Sequence, residues 1–513
     1  MALELLIISK TQAVAFLGLG IALFKIAQIS LQLHRRRQFA RQHGCEPITR
    51  HYPHTFPYLR FDRMRAVKQA RENHRHLEWI ASTYRELGTY TLDFRVPNLQ
   101  TIISTAEPAN CKAMFATQFN DFNSADRLYI VGPLIGKGIF TTDGEEWRHS
   151  RAMIRPNFAR TQISNIDAVE RFLQDMFKLL PRDGTTVDLQ PLFFSLTADT
   201  ATEFLFGESV HTLRGDEPGK PSGTAFVKAY DSASLQCVMR ATQPSLWAML
   251  MGPTKEDRQN CKTVAEFVQR YVDQALEWRR TWKDEKETPT GQYTFLFELA
   301  KETADPEKLK GEVLNLLLAG RDTTASLLGS MFFHLAKRPD IYERLQGEVR
   351  ELKGERPGFE QLKDMKLLQW CMKETLRVNT VVPTVSRNAN RDTTLPVGGG
   401  KDGKSPIFVK AGQMVFAHVS AMHLREDIWG PTAKTWDPDR WATARHAPWE
   451  YIPFHGGPRV CLGQQFALTE AGYVTARMLQ TFSKLESRDD GPWQEKVDLS
   501  CASRQTLASL TRA

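Results

Sequence analysis

The sequence predicts a mainly α protein with a small β-rich region, preceded by one N-terminal transmembrane helix. Three observations carry this. Residues 12–33 form a mostly apolar run long enough for one membrane helix. From Asp305 to about Lys337 the chain reads as one helix of about thirty residues, roughly 45 Å long at 1.5 Å per residue. Near the C-terminus, Phe454-His455-Gly456-Gly457-Pro458-Arg459-Val460-Cys461-Leu462-Gly463 sets a single cysteine in a glycine-rich turn before the apolar helix that starts at Phe466.

Composition bounds the rest. The chain has 513 residues, 42% hydrophobic and 25% charged, and can bury a large core. Length alone suggests about three domains, but no internal repeat supports a division. The net charge of +8 is modest and dispersed, which argues against nucleic acid as a partner. Basic clusters beside the apolar run and around the cysteine loop suit an anionic membrane or an acidic protein instead. Seven cysteines, an odd number and widely scattered, form neither a zinc spacing nor a compact disulfide framework. That usage fits a reducing compartment.

Taken in order, residues 1–11 form a short N-terminus that is expected to be lumenal, and 12–33 a transmembrane signal anchor. Lys25 and Gln28 weaken the span, but both lie near one end, where the lysine can snorkel. His34-Arg35-Arg36-Arg37 follows at once, which puts the globular part in the cytosol. No small-residue cleavage site is evident, so a retained anchor is favoured over a removed signal; the competing reading is an amphipathic surface helix. Residues 34–55 read as a basic linker with scattered prolines, and 56–513 as the main domain. Residues 62–87 look helical, and Thr89–Phe94 and Thr101–Ser104 alternate like strands of a small sheet. Trp147 and Arg151 lie one helical turn apart and share a face. Asp188–Val210 reads as a helix ending near Phe206-Gly207. Residues 213–223 read as a loop, and about 226–253 as a further apolar stretch with Trp247, Met249, Leu250 and Met251.

The long helix opens on Asp305-Pro306, an N-cap acid before a first-turn proline. Its interior Ala319-Gly320-Arg321-Asp322-Thr323-Thr324 is poor in helix propensity. Hydroxyls there can bond back to the i−4 carbonyl and bend the helix. In the cysteine loop, backbone N–H groups and the positive end of the following helix favour a thiolate over a thiol. A thiolate in a rigid loop suits a fixed metal ligand; a buried structural cysteine is the plainer alternative.

Phe454, Gly457, Arg459, Cys461 and Gly463 resemble the haem-binding signature F-x-x-G-x-R-x-C-x-G of the cytochrome P450 superfamily. A chance match of all five positions anywhere in the chain is on the order of one in ten thousand. The resemblance implies a cytochrome P450 fold around one buried haem b, with Cys461 as axial ligand to iron. Such a thiolate pushes electron density to the metal and favours O–O cleavage. Arg459 would pair with a haem propionate, and Phe454 would pack near the sulfur. Trp147 and Arg151 resemble the superfamily's propionate-contacting W-x-x-x-R element, with His149 as a candidate assistant. Ala319–Thr324 resembles its oxygen-binding A-G-x-D/E-T-T motif, which implies that Thr323 holds the reduced dioxygen and its water while Asp322 relays protons from solvent. Glu374, Arg377 and Arg440 resemble the fold-locking Glu-Arg-Arg triad. Arg387 and His423 are expected to approach a propionate, Val382 and Val385 to line the substrate channel, and residues 226–253 to supply lid helices.

His43-Gly44-Cys45-Glu46-Pro47, Phe204–Ser209 and Val397–Pro406 resemble the fungal subgroup that hydroxylates n-alkanes and fatty acids. Ser500–Gln505, a segment that in this subgroup forms a hairpin touching substrate, departs from its pattern. The implied function is an O2-dependent monooxygenase of a lipophilic substrate in the endoplasmic reticulum membrane. Electrons would come from NADPH through a flavoprotein reductase docking at the basic cysteine side, with cytochrome b5 as a further candidate donor. A long-chain fatty acid or n-alkane is the first expected substrate, and a fungal secondary metabolite the second. A haem-thiolate isomerase or dehydratase would need no external electrons, and Asp322-Thr323 argues against it. A non-enzymatic haem-binding scaffold is the remaining alternative.

Overall fold

In the computed structural model the described residues are 10–512, apart from 54–61, 96–100, 125, 161–165, 182, 220, 243–251 and 282–292. The predicted lid residues Trp247, Met249, Leu250 and Met251 lie outside them. The N-terminal helix runs Lys10–Gln42. Within Phe16–Gln42 lies an 18-residue apolar window, long enough to cross a membrane, that is not buried in the fold, while Arg36 nearer its end pairs with Asp392 at 3.1 Å. Beyond its end, Glu46 N–H donates to the Pro406 carbonyl (2.9 Å) and Gly400 N–H to that of Pro47 (3.0 Å). Two stretches that carried the subgroup resemblance are therefore neighbours in space. The second spans the turn of a hairpin, Thr393–Gly399 with Ser405–Val409.

The central helix runs Pro306–Lys337, and the Asp305 carboxylate accepts from the N–H groups of Glu307 (3.0 Å) and Lys308 (3.3 Å). It is buried in two separate cores. Leu309, Val313, Leu314, Leu316 and Leu317 pack with the helices Leu189–Phe206, Gly223–Thr242 and Lys255–Thr281. Ala325, Leu327, Leu328, Met331, Phe332 and Leu335 pack with the helices Ile166–Leu179, Lys366–Val378 and Gln464–Thr481. Each such leucine, buried, contributes about 1.5–3 kcal/mol. Between the two cores Leu318, Ala319, Gly320 and Thr323 are only half-buried, so the weak-propensity stretch sits where packing on the helix opens.

Leu189–Phe206 is capped as its ends predict: Asp188 accepts from Gln190 N–H, and Gly207 takes the left-handed conformation at φ 77°. The main sheet has the order Thr91–Arg95, Thr101–Thr105, Met414–His418, Thr384–Ala389, Phe122–Asn123. Only the pairing of Thr101–Thr105 with Met414–His418 is parallel. The predicted helix over 62–87 is two helices, Asp62–Glu72 and His76–Leu87. The break has a tertiary cause. His74 adopts φ 53° with its Nδ1 at the Glu495 carbonyl (3.0 Å), and Leu77 N–H donates to the Glu495 carboxylate (3.0 Å).

Candidate active site

The cysteine loop is built by backbone constraint. Gly457 (φ 67°) and His455 (φ 66°) are both left-handed. Cys461 N–H donates to the Phe454 carbonyl (3.0 Å) and Val460 N–H to that of Gly457 (3.0 Å). A Cβ on Gly457 would sit 1.9 Å from the Phe115 carbonyl oxygen, so only glycine lets the loop lie against that turn. The Cys461 side chain is exposed to solvent within this frame. The protein packed around the loop still desolvates the sulfur and pushes its thiol up, against the opposing pull of the Gly463 N–H and of Arg151. The Gly463 N–H and Arg151 thus pull in the direction that the loop's dipoles predict, and desolvation pulls the other way.

Beside the loop lies a cluster of cations. Arg387 is buried, with Nη2 3.1 Å from His455 Nε2 and its guanidinium 5.2 Å from the Phe115 ring centre. Burial first, then Arg127 and Arg459, hold it well below the usual arginine range. Arg459 is pushed down to about 10 by burial and by Arg127 and Arg151, although Asp143 opposes this from 2.6 Å. Arg459 also donates to the Thr142 carbonyl (2.9 Å) and lies over Trp147 at 4.5 Å. Arg127 is lowered by burial. His455 falls to about 3, by burial and then by Arg387. Among the described residues Asp143 is the one carboxylate in ion-pair contact with any of Arg127, Arg387 and Arg459. An excess of desolvated cations is costly unless anions are supplied. Two carboxylates of a ligand, such as haem propionates, fit that excess, and the accessible thiol of Cys461 fits an iron ligand; the residues therefore fit haem.

Trp147 is buried and Arg151 stacks over it at 5.8 Å. His149 is exposed. His423 does not reach this cluster. Its Nδ1 bonds the Thr380 hydroxyl (3.0 Å) and its Nε2 accepts from Ile452 N–H (3.0 Å), so both ring nitrogens are used structurally. Val382 is exposed, whereas Val385 is buried and packs in the sheet core.

On the central helix the Thr323 hydroxyl donates to the Ala319 carbonyl at 2.6 Å, the back-bond expected of that stretch. Asp322 is buried and pushed up to about 6 by burial, against the pull of Arg321 at 3.0 Å. One turn on, the Ser326 hydroxyl lies 3.4 Å from that of Ser500, and Cys501 N–H donates to the Val381 carbonyl (2.8 Å). The hairpin Glu495–Val497 with Cys501–Ser503 thus closes against the central helix.

Glu374, Arg377 and Arg440 are brought together. The fully buried Glu374 carboxylate accepts from Arg377 (2.7 and 2.9 Å), Arg440 Nε (3.2 Å), Trp441 Nε1 (3.0 Å) and Asp437 N–H (3.1 Å). Arg377 also donates to the carbonyls of His423 (2.9 Å) and Ala433 (2.6 Å). Sequence reasoning missed Arg127, His455, Asp143 and Glu470. The last is buried, bonded to the Thr200 hydroxyl at 2.6 Å, and pushed up to about 7 by burial. Only His455, inside the signature loop, carried a local signal.

Comparison with known proteins places this arrangement. The family model Cytochrome P450 matches residues 63–509, and the chain belongs to that family as a monooxygenase. It is 41% identical to cytochrome P450 monooxygenase himC of Aspergillus japonicus, over 95% of this chain and 88% of that protein. It is 41% identical to cytochrome P450 monooxygenase fsdH of Fusarium heterosporum, over 93% and 85%. It is 40% identical to cytochrome P450 52A13 of Debaryomyces hansenii, over 89% of each. The family implies haem, dioxygen and electrons from a redox partner.

Proposed function

We propose that this chain is a single-pass monooxygenase of the endoplasmic reticulum membrane that hydroxylates a long, lipophilic acyl or alkyl chain. Its catalytic domain would face the cytosol and take NADPH-derived electrons from a flavoprotein reductase. The observation that carries the haem reading is the desolvated cation excess of Arg127, Arg387 and Arg459, with Arg387 buried, beside an accessible thiol at Cys461. Haem b held by a cysteine thiolate supplies dioxygen activation. Cys461 would hold the iron, with the Gly463 N–H tuning the sulfur. The guanidiniums of Arg127, Arg387 and Arg459 would bind the propionates, with Trp147 and Arg151 as their wall and Phe454 beside the loop. The Asp322 carboxyl, pushed up to about 6, would take up and release a proton just below neutral pH. Thr323 carries a hydroxyl at the half-buried gap of the central helix, where it orients water.

The substrate class is supported by the subgroup resemblance and by exposed apolar side chains on the helix that contacts the central helix at Arg321. Asp231 on the helix Gly223–Thr242 reaches the central helix at Arg321. Leu235 and Met239 continue its face one and two turns on, and both are exposed. Leu128 and Tyr129, on the short helix Arg127–Ile130 packed against the same helix, are exposed too, as is Val382. Exposed apolar side chains of this kind suit a flexible apolar ligand.

The test is spectroscopic. The reduced protein with carbon monoxide should give the red-shifted Soret band of thiolate ligation, and Cys461→Ala should lose it. A Cys461→Ala protein that kept the band would refute the assignment. Binding spectra against fatty acids, alkanes and polycyclic metabolites then settle the substrate class: tight binding of polycyclic compounds alone would replace the acyl-chain reading with a tailoring one.

A further inference from the structure

Arg321 lies in the oxygen-motif stretch of the central helix, at a position that the motif leaves unspecified. It is buried, and its guanidinium is shared between two carboxylates. Nη1 and Nη2 meet Asp231 Oδ1 and Oδ2 at 2.5 and 3.2 Å, and Nη1 also meets Asp322 Oδ1 at 3.0 Å. Phe194 and Tyr230 flank it, with ring centres 5.5 and 5.6 Å away, and the Thr197 hydroxyl donates to its carbonyl at 2.8 Å. Nε is buried without a partner. The side chain is thus clamped by its surroundings, and its charge is divided between two helices.

The two carboxylates differ. Asp231 stands on the helix Gly223–Thr242 with its side chain 55% exposed, whereas that of Asp322 is 12% exposed. The planar fork of an arginine binds a carboxylate with both nitrogens, and Asp231 takes that geometry; Asp322 keeps one nitrogen. We propose that Asp231 is a positioning residue for proton delivery: by holding the Arg321 guanidinium toward its own helix, it limits the share left to Asp322, so the position of that helix is transmitted to the Asp322 carboxyl. Leu235 and Met239 lie on the same face of that helix, so an apolar substrate pressing on them acts on the helix that carries Asp231. By linkage, whatever substrate does to Asp322 through this clamp, protonation of Asp322 does to substrate affinity. The inference rests on the monooxygenase reading of Asp322 and Thr323.

The charged and titratable groups that face Asp322 are Arg321, which favours its ionised form, and Asp231, which opposes it. Asp498 and Lys496 of the C-terminal hairpin act with opposite signs, and the Tyr230 hydroxyl lies beside the clamp. Removing the Asp231 charge leaves Arg321 to Asp322 alone, and both changes favour the ionised Asp322.

The experiment uses the full-length, haem-loaded enzyme. In D231N the pH midpoint for product formed per NADPH should move to lower pH by about one unit, a tenfold change in the protonated-to-ionised ratio. D231E should restore it to within twofold. An independent reading is the infrared C=O band of protonated Asp322, identified by its loss in D322N, whose titration midpoint should fall likewise in D231N. Should D231N fail to load haem, D231S gives the same midpoint. A D231N or D231S enzyme with the normal carbon-monoxide band but unshifted coupling and infrared midpoints would overturn the clamp alone. Unchanged coupling in D322N would instead overturn the reading of Asp322 on which it rests.

Discussion

Glu374 is the sharpest place to test how this fold is held. Its carboxylate is fully buried and receives five donors, three of them from Arg377 and Arg440. Glu374→Gln keeps the shape and removes the charge. One of its two oxygens becomes an NH2, which then faces a guanidinium instead of accepting from it. Arg377, itself fully buried, is left without its counter-charge. Breaking a buried pair in this way costs about 3–5 kcal/mol, a large share of the roughly 5–15 kcal/mol by which domains are stable. The exposed pair Arg344–Asp439, at 2.7 Å with side chains 47% and 46% exposed, is an internal control. Its loss in Asp439→Asn should cost about 0–1 kcal/mol. Guanidinium denaturation followed by tryptophan fluorescence gives both values from the midpoints at constant slope. A Glu374→Gln loss within 1 kcal/mol of the Asp439→Asn control would refute the reasoning.

Other outcomes follow from single positions. Gly457→Ala puts a Cβ 1.9 Å from the Phe115 carbonyl on a left-handed backbone; it should lower haem content at least severalfold, measured as haem per protein, and a normally loaded variant would contradict the loop geometry. Glu470 titrates at about 7 in the fold against an ordinary 4.5. A raised acid stabilises the fold below its unfolded value and loses that contribution as pH rises to its folded value. Glu470→Gln should therefore gain on the wild type by up to about 3 kcal/mol between pH 4.5 and 7, read from denaturation at each pH; a pH-independent difference would remove Glu470 as the source. Thr323→Ala deletes the hydroxyl bonded to the Ala319 carbonyl; it should divert electrons from product to peroxide, so NADPH consumed without product should rise severalfold, and unchanged coupling would take Thr323 out of proton delivery.

What could be read from the chain alone was local or was spelled in one short stretch. Helix ends at Asp188, Gly207 and Asp305 follow from side chains that satisfy nearby backbone groups or from glycine's access to the left-handed region. The membrane-length helix follows from an apolar run, and the cysteine loop from glycines that only one geometry needs. Folding decided what depends on partners far along the chain. Glu495 breaks the helix predicted over residues 62–87, from 418 positions away. Arg127 joins Arg387 and Arg459, and Glu470 meets Thr200 across 270 positions. Asp231 reaches Arg321 across 90. Desolvation, too, exists only once the chain is packed: it raises the Cys461 thiol despite the loop's own dipoles, and it lifts Asp322 to about 6. Local backbone chemistry is written in neighbouring residues, whereas burial and long-range charge pairing belong to the surroundings that the fold assembles.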